Sequence, residues 1–271
     1  MTLLIPIGPT FAPASEGLSI AQSVILGIVE GITEFLPVSS TAHLVLASHA
    51  MRLVETEFLK SFQIIIQFGA ILSVVVLYWK KFLNWEVFKK LVVAFIPTGI
   101  IGLTVYKVLK SYLLGNLHVI LLSLLIGGIV LIVFERYSRG TENDVDFSEI
   151  TYRKALLIGL WQSVAIIPGV SRAAATIVGG MIVGISKRTI VEFSFMLAVP
   201  TMLAASGLEL LKNHAAISEN VPALGVGFVV SFVMAIAAIK LFLAYVKKRD
   251  FRAFGWYRVV LAVVYFFVFV R

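Results

Sequence analysis

Two glutamates lie inside an apolar stretch near the start of the chain, where ionisable side chains are costly. Glu30 and Glu34 are four residues apart, so on a helix both carboxylates lie on one face. Placing each charged side chain within a membrane helix costs about 2.5–3.5 kcal/mol on insertion scales, so these glutamates are candidates for a functional role. Two carboxylates so placed share a proton or bind a divalent cation. The alternative is a pair of interfacial carboxylates that point at water.

A serine pair and a histidine follow in the same stretch. Ser39 or Ser40 is a good N-cap for a helix after Pro37, and capping alone would account for at least one of them. With Ser40 at the start of that helix, His43 lies about one turn later and points near the same site. A lone histidine is more often structural, but one beside two serines and two carboxylates favours a functional role.

A second polar cluster follows a Pro-Gly pair in the other half of the chain. Ser171 can cap the next helix, and three alanines at 173–175 keep its first turn thin. Free N–H groups at a helix N-terminus, a small-residue face and the guanidinium of Arg172 make an anion site suited to phosphate. The alternative for Arg172 is a structural salt bridge to one of the two glutamates.

These side chains together fit phosphoryl transfer. That reaction needs an in-line nucleophile, neutralisation of developing negative charge and a proton donor to the leaving oxygen. No Walker loop, GxGxxG, HExxH or paired CxxC sequence occurs, so nucleotide-driven transport and zinc hydrolysis have no support. The chain has no cysteine, which excludes disulfides, thiolate metal sites and cysteine nucleophiles.

The elements that position these residues are membrane helices. Of the 271 residues, 59% are hydrophobic and 14% are charged, and the mean hydropathy is +0.99. Soluble domains carry about 25% charged residues, so a soluble globular protein is excluded. The apolar runs are also too long and continuous for a membrane β-barrel. Six of them are long enough to span a bilayer: 62–79, 89–111, 117–135, 190–211, 222–246 and 254–270.

Two shorter apolar stretches predict re-entrant hairpins. Each stops before a proline and is followed by a polar turn and a second short helix: 20–36 with 40–51, and 155–167 with 172–185. Residues 27–39 resemble residues 159–171, a shift of 132 positions, so each half has one hairpin and three spans. An odd number of spans per repeat predicts an inverted-topology repeat, as in many transporters.

Basic residues indicate the orientation. Fourteen Lys and Arg residues fall on one predicted face and six on the other, which places both termini outside the cytoplasm. The hairpins then enter from opposite sides and their tips meet near the midplane. The net charge of +8 comes from basic residues that flank the apolar runs, so it does not indicate nucleic-acid binding. We expect one integral membrane domain over 1–271, with a loose tail, first repeat, cytoplasmic loop and second repeat at 1–17, 18–135, 136–154 and 155–271.

Two motifs carry a family resemblance. The runs EGITEFLPVSSTAH at 30–43 and PGVSRAAAT at 168–176 resemble the undecaprenyl-diphosphatase family of bacitracin-resistance membrane phosphatases, as does EFSFMLAVP at 192–200. The similarity covers nearly the whole chain from about residue 18 onward. One departure is that the family's second motif usually continues Ser-Arg-Ser-Gly, whereas here alanines occupy 173–174.

The resemblance implies an all-α polytopic membrane protein that hydrolyses undecaprenyl diphosphate to undecaprenyl phosphate and inorganic phosphate. This reaction recycles the lipid carrier of peptidoglycan synthesis and confers bacitracin resistance, in the bacterial inner membrane with a site open to the outer face. Mg²⁺ or Ca²⁺ is the implied cofactor. The implied partners are a polyprenyl diphosphate lipid and membrane lipids, and a homodimer is a candidate assembly. The implied site residues are Glu30, Glu34, Ser40, His43 and Arg172 for catalysis, Ser39, Ser171, Arg172 and Thr176 for the diphosphate, and Glu30 and Glu34 for the metal.

Two mechanisms stay open at this point. In one, Ser40 attacks the terminal phosphorus with His43 as general base and then acid. In the other, His43 is the nucleophile and Ser40 a hydrogen-bond donor. The rival function is a secondary transporter or lipid flippase for an anionic substrate, because inverted repeats with broken helices are common in transporters. A carrier would need the charge of the site but no nucleophile.

Overall fold

The computed structural model describes residues 18–112, 116–137, 145–212 and 220–271. These ranges are helical and contain no β-strand. The helices are α1 (Ile20–Thr33), α2 (Ser40–Ala50), α3 (Glu57–Phe82), α4 (Trp85–Tyr112), α5 (Leu117–Tyr137), α6 (Tyr152–Ser163), α7 (Arg172–Ile182), α8 (Lys187–Lys212), α9 (Val221–Val246) and α10 (Arg252–Tyr265). Short 3-10 turns precede and follow α6, and a π-helical turn follows α10.

Five helices in the described ranges are long and apolar enough to cross a membrane. They are Glu57–Phe82, Trp85–Val105, Leu117–Arg136, Val221–Val246 and Arg252–Val270, and they coincide with five of the six predicted spans. The sixth prediction, 190–211, lies within α8, in whose second half several side chains are outside the described ones. The predicted tail at 1–17 and positions 138–144 of the predicted loop also lie outside the described residues.

Several helix starts follow from local capping residues. Ser19 accepts a hydrogen bond from the N–H of the third helical residue and forms a capping box with the glutamine there. Thr56, Thr151 and Asn220 likewise accept a backbone N–H three residues on. These caps satisfy donors that a helix N-terminus otherwise leaves unpaired.

The two halves repeat one order of elements and interlock. The short pair α1–α2 precedes the long helices α3–α5, and the pair α6–α7 precedes α8–α10. Helix α1 packs against α9 of the second half, and α6 packs against α4 of the first half. Glycines permit this close approach: a Cβ at Gly31 would lie 2.5 Å from the carbonyl oxygen of Ser231, and one at Gly159 would lie 2.0 Å from that of Ala94.

The largest apolar cluster lies directly behind the first hairpin tip. Phe35 is fully buried and meets Phe195 edge-on at a centroid distance of 5.4 Å, and Phe195 in turn contacts Phe242. The residue before Phe35 is Glu34, so the carboxylate is carried by a tightly packed part of the chain. The core therefore holds the tip in place.

Candidate active site

The tips of both hairpins have the same backbone conformation. Ser39 and Ser171 have φ of 73° and 77°, in the left-handed region that non-glycine residues rarely occupy. The hydroxyl of Ser39 accepts the N–H of Ala42, and that of Ser171 accepts the N–H of Ala174. Both predicted caps are confirmed. Strained residues of this kind cost roughly 1–3 kcal/mol and persist where the surrounding structure determines them.

Ser40 and Arg172 follow these caps and are the first residues of α2 and α7. Glu34 joins them: its Oε2 accepts the Ser40 hydroxyl at 2.5 Å, and its Oε1 lies 2.8 Å from Nη2 of Arg172. The Arg172 and Glu34 side chains are 12% and 5% exposed, so this is a buried pair. The salt bridge expected as the alternative for Arg172 is therefore formed, and it brings the two tips together.

Arg172 is held from a third element as well. Its Nη1 donates to the carbonyl oxygen of Ser194 on α8 at 2.7 Å, and the hydroxyls of Ser194 and Thr176 are 2.5 Å apart. Thr176 also donates to the carbonyl oxygen of Arg172 at 2.9 Å. Nε of Arg172 is buried and has no hydrogen-bond partner among the described residues. That N–H is free to bind an anion.

Glu30 is completely buried. Neither of its carboxylate oxygens has a hydrogen-bond partner within the described ranges, and the charges of Glu34 and Arg172 act on it. Glu34 itself is 7% exposed. The alternative of two interfacial carboxylates pointing at water is therefore wrong. What remains is a carboxylate pair that shares a proton or holds a cation.

The residues present fit a divalent cation that takes only part of its ligands from the protein. The unpartnered oxygens of Glu30 lie beside Glu34, and carboxylate oxygens are the ligands that Mg²⁺ and Ca²⁺ prefer. No group of three or more His, Cys, Asp or Glu residues in the described part of the chain could hold a metal ion. Phosphate oxygens and water would have to supply the other ligands, as is common for Mg²⁺.

His43 lies beside the tip but its ring nitrogens are engaged elsewhere. Nδ1 is 2.7 Å from the carbonyl oxygen of Ser39, and Nε2 is 2.7 Å from the hydroxyl of Tyr257 on α10. Because a carbonyl oxygen only accepts, Nδ1 carries the proton and Nε2 accepts the tyrosine hydroxyl. The Ser40 hydroxyl donates to Glu34. The geometry thus pairs Ser40 with a carboxylate and assigns His43 to the backbone of the tip.

A cavity of about 440 Å³ lies over the two tips. From the two tips it is lined by Glu34, Ser39, Ser40, Ser171 and Arg172, and five polar residues of other segments also line it: Gln67, Thr98, Gln162, Thr201 and Ser206. Most of the lining surface is apolar, with side chains from α4, from the turn after α6 and from α8 that include Phe95, Leu103, Ile166 and Met202. Glu30, His43 and Thr176 are not among the lining residues. The site suits a phosphorylated molecule with an apolar body.

Comparison of the chain with known protein families identifies the family to which it belongs. Residues 23–264 match the family described as "Bacitracin resistance protein BacA". The chain belongs to this family.

Its similarity to individual relatives extends over most of each chain. It is 46% identical over 252 residues to the "Undecaprenyl-diphosphatase" of Aquifex aeolicus (strain VF5), covering 92% of this chain and 98% of that one. Proteins of the same name from Sulfurihydrogenibium sp. (strain YO3AOP1) and Bdellovibrio bacteriovorus are 47% and 48% identical over 250 residues. These two alignments cover 90% and 91% of this chain, and 97% and 95% of the respective relative. The chain is thus a multi-pass membrane protein of this family.

The second hairpin of this BacA family member carries a neutral polar group where the first carries a carboxylate. Gln162 corresponds to Glu30 in the repeat alignment, and its amide donates to the hydroxyls of Thr98 and Thr201 at 2.9 and 3.1 Å. Each threonine follows a proline inside its helix, Pro97 in α4 and Pro200 in α8, which interrupts the backbone hydrogen-bond ladder beside the cavity. At the position equivalent to Glu30, the second hairpin thus has an amide that is already hydrogen-bonded.

The departure from the usual second motif does not remove the polar residues with which the two tips line the cavity. Ala173 and Ala174 are 1% and 6% exposed, and neither lines the cavity. The N–H of Ala174 still donates to Ser171. Ser171 and Arg172, which do line the cavity, are retained.

Two contacts of the site were not identified from the sequence. Ser194, which holds Arg172 and Thr176, lies inside the third motif at 192–200, but a serine on a long helix gives no local signal of its partner. Tyr257 lies far along the chain from the histidine that it contacts. Glu192 of the same third motif pairs instead with Lys81, away from the cavity.

Proposed function

We propose that this chain hydrolyses undecaprenyl diphosphate to undecaprenyl phosphate and inorganic phosphate, and so recycles the carrier lipid and confers bacitracin resistance. One observation carries the proposal: Ser40, Glu34 and Arg172 form a connected set at the wall of one cavity. They supply a hydroxyl nucleophile, a carboxylate that can take its proton and a cation for phosphate. The names of relatives that are 46–48% identical over most of the chain support the same reaction.

The diphosphate binds where the two helices start. The N-termini of α2 and α7 attract negative charge, and the unpartnered Nε of Arg172 adds a charged donor. Ser39 and Ser171 accept N–H bonds through their hydroxyl oxygens, so their own O–H protons are free for phosphate oxygens. Thr176 supports this set from behind through the backbone of Arg172. The polyprenyl chain lies along the apolar wall.

The Ser40 hydroxyl attacks the terminal phosphorus, and its proton passes to Oε2 of Glu34. The bond between that phosphorus and the bridging oxygen breaks, and undecaprenyl phosphate leaves. Water then attacks the phosphorus of the phosphoserine, and the bond between Ser40 Oγ and that phosphorus breaks. Glu34 returns its proton to Ser40 Oγ, and the oxygen and protons of water leave with inorganic phosphate. This assignment gives Glu34 the proton-accepting role that one of the two sequence-based mechanisms gives to His43. His43 keeps Ser39 in position through its Nδ1–H.

Glu30 and Glu34 would hold Mg²⁺ or Ca²⁺. When bound, such an ion neutralises charge on phosphate oxygens. The carboxylate oxygens of Glu30, which have no hydrogen-bond donor in the described structure, would then have a direct partner.

The proposal includes a topology. Six spans and two re-entrant hairpins form an inverted repeat in one domain, with both termini and the active site facing the outer side of the bacterial inner membrane. The repeated element order and the exchange of packing between halves support this arrangement. The homodimer stays a prediction.

Phosphate release from undecaprenyl diphosphate by purified protein tests the function. Ser40→Ala should abolish release, whereas Ser48→Ala, in the same helix and bonded to Gln63, should leave it unchanged. Arg172→Ala and Glu34→Ala should both lose release, and EDTA should suppress it in the wild type. Release that is equal in every sample would indicate a contaminating phosphatase.

Two further measurements separate the remaining alternatives. A trapped phosphoenzyme that is stable in acid and labile in base supports phosphoserine, and the opposite stability would assign the nucleophile to His43. A transporter or flippase would retain lipid movement after joint substitution of Ser40 and His43, because a carrier needs no nucleophile. Retained movement without any phosphate release in the wild type would favour the carrier.

A further inference from the structure

A second arginine lies wholly inside the protein. Arg258 on α10 is 0% exposed, and no described carboxylate forms an ion pair with it. A lone buried charge is among the least favourable groups in a fold unless other groups compensate it. An arginine that served only to fill space would be replaceable by an apolar side chain.

Among the described residues, its hydrogen-bond partners are all backbone carbonyl oxygens. Nη1 and Nη2 each donate to two of them and Nε to one, at distances of 2.9–3.4 Å: Pro37 and Val170 for Nη1, Gly169 and Ser123 for Nη2, and Leu124 for Nε. One residue belongs to the first hairpin tip, two to the second tip and two to α5. A single guanidinium therefore joins both tips to one pair of long helices.

The carbonyls that it holds lead directly into the strained caps. Val170 immediately precedes Ser171, and Pro37 lies two residues before Ser39. Both serines have positive φ, a conformation that persists only where the surroundings impose it. The guanidinium of Arg258 contacts the backbone just before each of these two serines, so it helps to impose both conformations.

The sequence leaves space for this side chain. A Cβ at Gly127 would lie 2.2 Å from Nη2 of Arg258. One at Gly128 would lie 2.7 Å from the carbonyl oxygen of Gly255, so glycines also allow α5 and α10 to approach closely. A Cβ at Gly128 would also lie 3.1 Å from the Cβ of Arg258, so two adjacent glycines of α5 leave room for this side chain.

We propose that Arg258 is a positioning residue that keeps Ser40 and Arg172 in register across the two hairpins. Arg258 does not itself line the cavity, and it acts through the backbone of both tips, including that of the lining residue Gly169. The proposal rests on the proposed phosphatase function. Ser40 and the guanidinium of Arg172 lie on different halves of the chain. If Arg258 holds both tips, these two groups keep their relative positions during turnover.

Steady-state kinetics of Arg258→Lys test this role. Lysine keeps the charge but has three donors, against five for arginine, so it cannot hold both tips and α5 together. Misplacement of reacting groups by about 1 Å costs on the order of 100-fold in rate. We expect kcat to fall by roughly that factor while KM changes by less than about threefold, because Arg172 and the helix starts still bind phosphate.

Gly127→Ala gives an independent test that leaves Arg258 in place. Its new Cβ would displace Nη2, so kcat should fall with KM retained, as for the lysine variant. Gly225→Ala, at a helical glycine with no neighbour within 4 Å of the added Cβ, is the matched control and should match the wild type. Size-exclusion chromatography and thermal melting show which variants are folded, and Gly127→Ala decides the question if Arg258→Lys is not.

The outcomes separate the two proposals. A wild-type protein that releases no phosphate would overturn the phosphatase function. An active wild type with folded Arg258→Lys and Gly127→Ala variants within about threefold of its kcat would overturn the positioning role alone. A rise in KM at unchanged kcat would also overturn it, because Arg258 would then affect binding instead of register.

Discussion

Replacing Glu30 with glutamine should stabilise the protein in the absence of divalent cations and remove most of its activity. Both oxygens of the Glu30 carboxylate are buried without a donor among the described residues, and the charge of Glu34 acts on them. The second hairpin shows the alternative: Gln162, at the equivalent position, donates to two threonine hydroxyls. An amide at position 30 removes the buried charge and adds a donor next to Glu34.

The size of the effect follows from these contacts. A hydrogen bond to a charged group contributes about 1.5–3 kcal/mol. Glu34 already accepts from Ser40 and Arg172, so we take about 1–2 kcal/mol for a further donor. For a chain of this length 1 kcal/mol shifts Tm by about 2–4 °C, which gives an expected rise of about 2–8 °C.

The expected rise in Tm can be measured by thermal melting in detergent. The samples contain either EDTA or Mg²⁺ and are heated at one scan rate. Mg²⁺ should raise the Tm of the wild type, in which the carboxylate pair holds it, and should have less effect on Glu30→Gln. Gln162→Glu is the reciprocal control. It loses two donated hydrogen bonds and buries a carboxylate, so its Tm should fall. A lower Tm for Glu30→Gln in EDTA, or an equal Mg²⁺ response in both proteins, would refute the reasoning.

Three further substitutions have defined outcomes. Ser194→Ala removes a hydroxyl that contacts Arg172, so KM should rise about fivefold with a smaller change in kcat; an unchanged KM would contradict this contact. Tyr257→Phe removes one hydrogen bond to an imidazole, and phosphate release should stay within about tenfold of wild type. A larger loss would place that imidazole in proton transfer. Gly31→Ala puts a Cβ 2.5 Å from a backbone carbonyl oxygen and should lower stability by about 1–3 kcal/mol, measured by melting against Gly225→Ala.

Much of the architecture follows from local patterns. The apolar runs, the prolines and the cap residues predict the helix pairs at 20–36 with 40–51 and at 155–167 with 172–185. The helices observed there begin and end within a few residues of these bounds. Hydrophobic length and capping act over one or two helical turns, so the chain itself carries them.

Some contacts of the site were open at the level of sequence because they join distant segments. Ser40 and His43 were both candidates for the nucleophile, and a salt bridge was one of two interpretations of Arg172. The structure pairs Ser40 with Glu34 and pairs Arg172 with the same carboxylate, 138 residues away. Which hydroxyl meets which base depends on rotamers and packing, and residue spacing does not contain that information.

The sequence by itself determined which segments are apolar enough for a membrane, where they break, and which polar residues stand at the breaks. The tertiary structure alone decided that Glu30 is buried with no donor among the described residues and that Arg258 holds both tips through backbone carbonyls. A backbone carbonyl is present at every position, so no residue type marks the ones that a distant guanidinium will reach. The physical reason is range: hydrophobicity and capping are local properties, whereas the compensation of a buried charge depends on what the whole fold brings beside it.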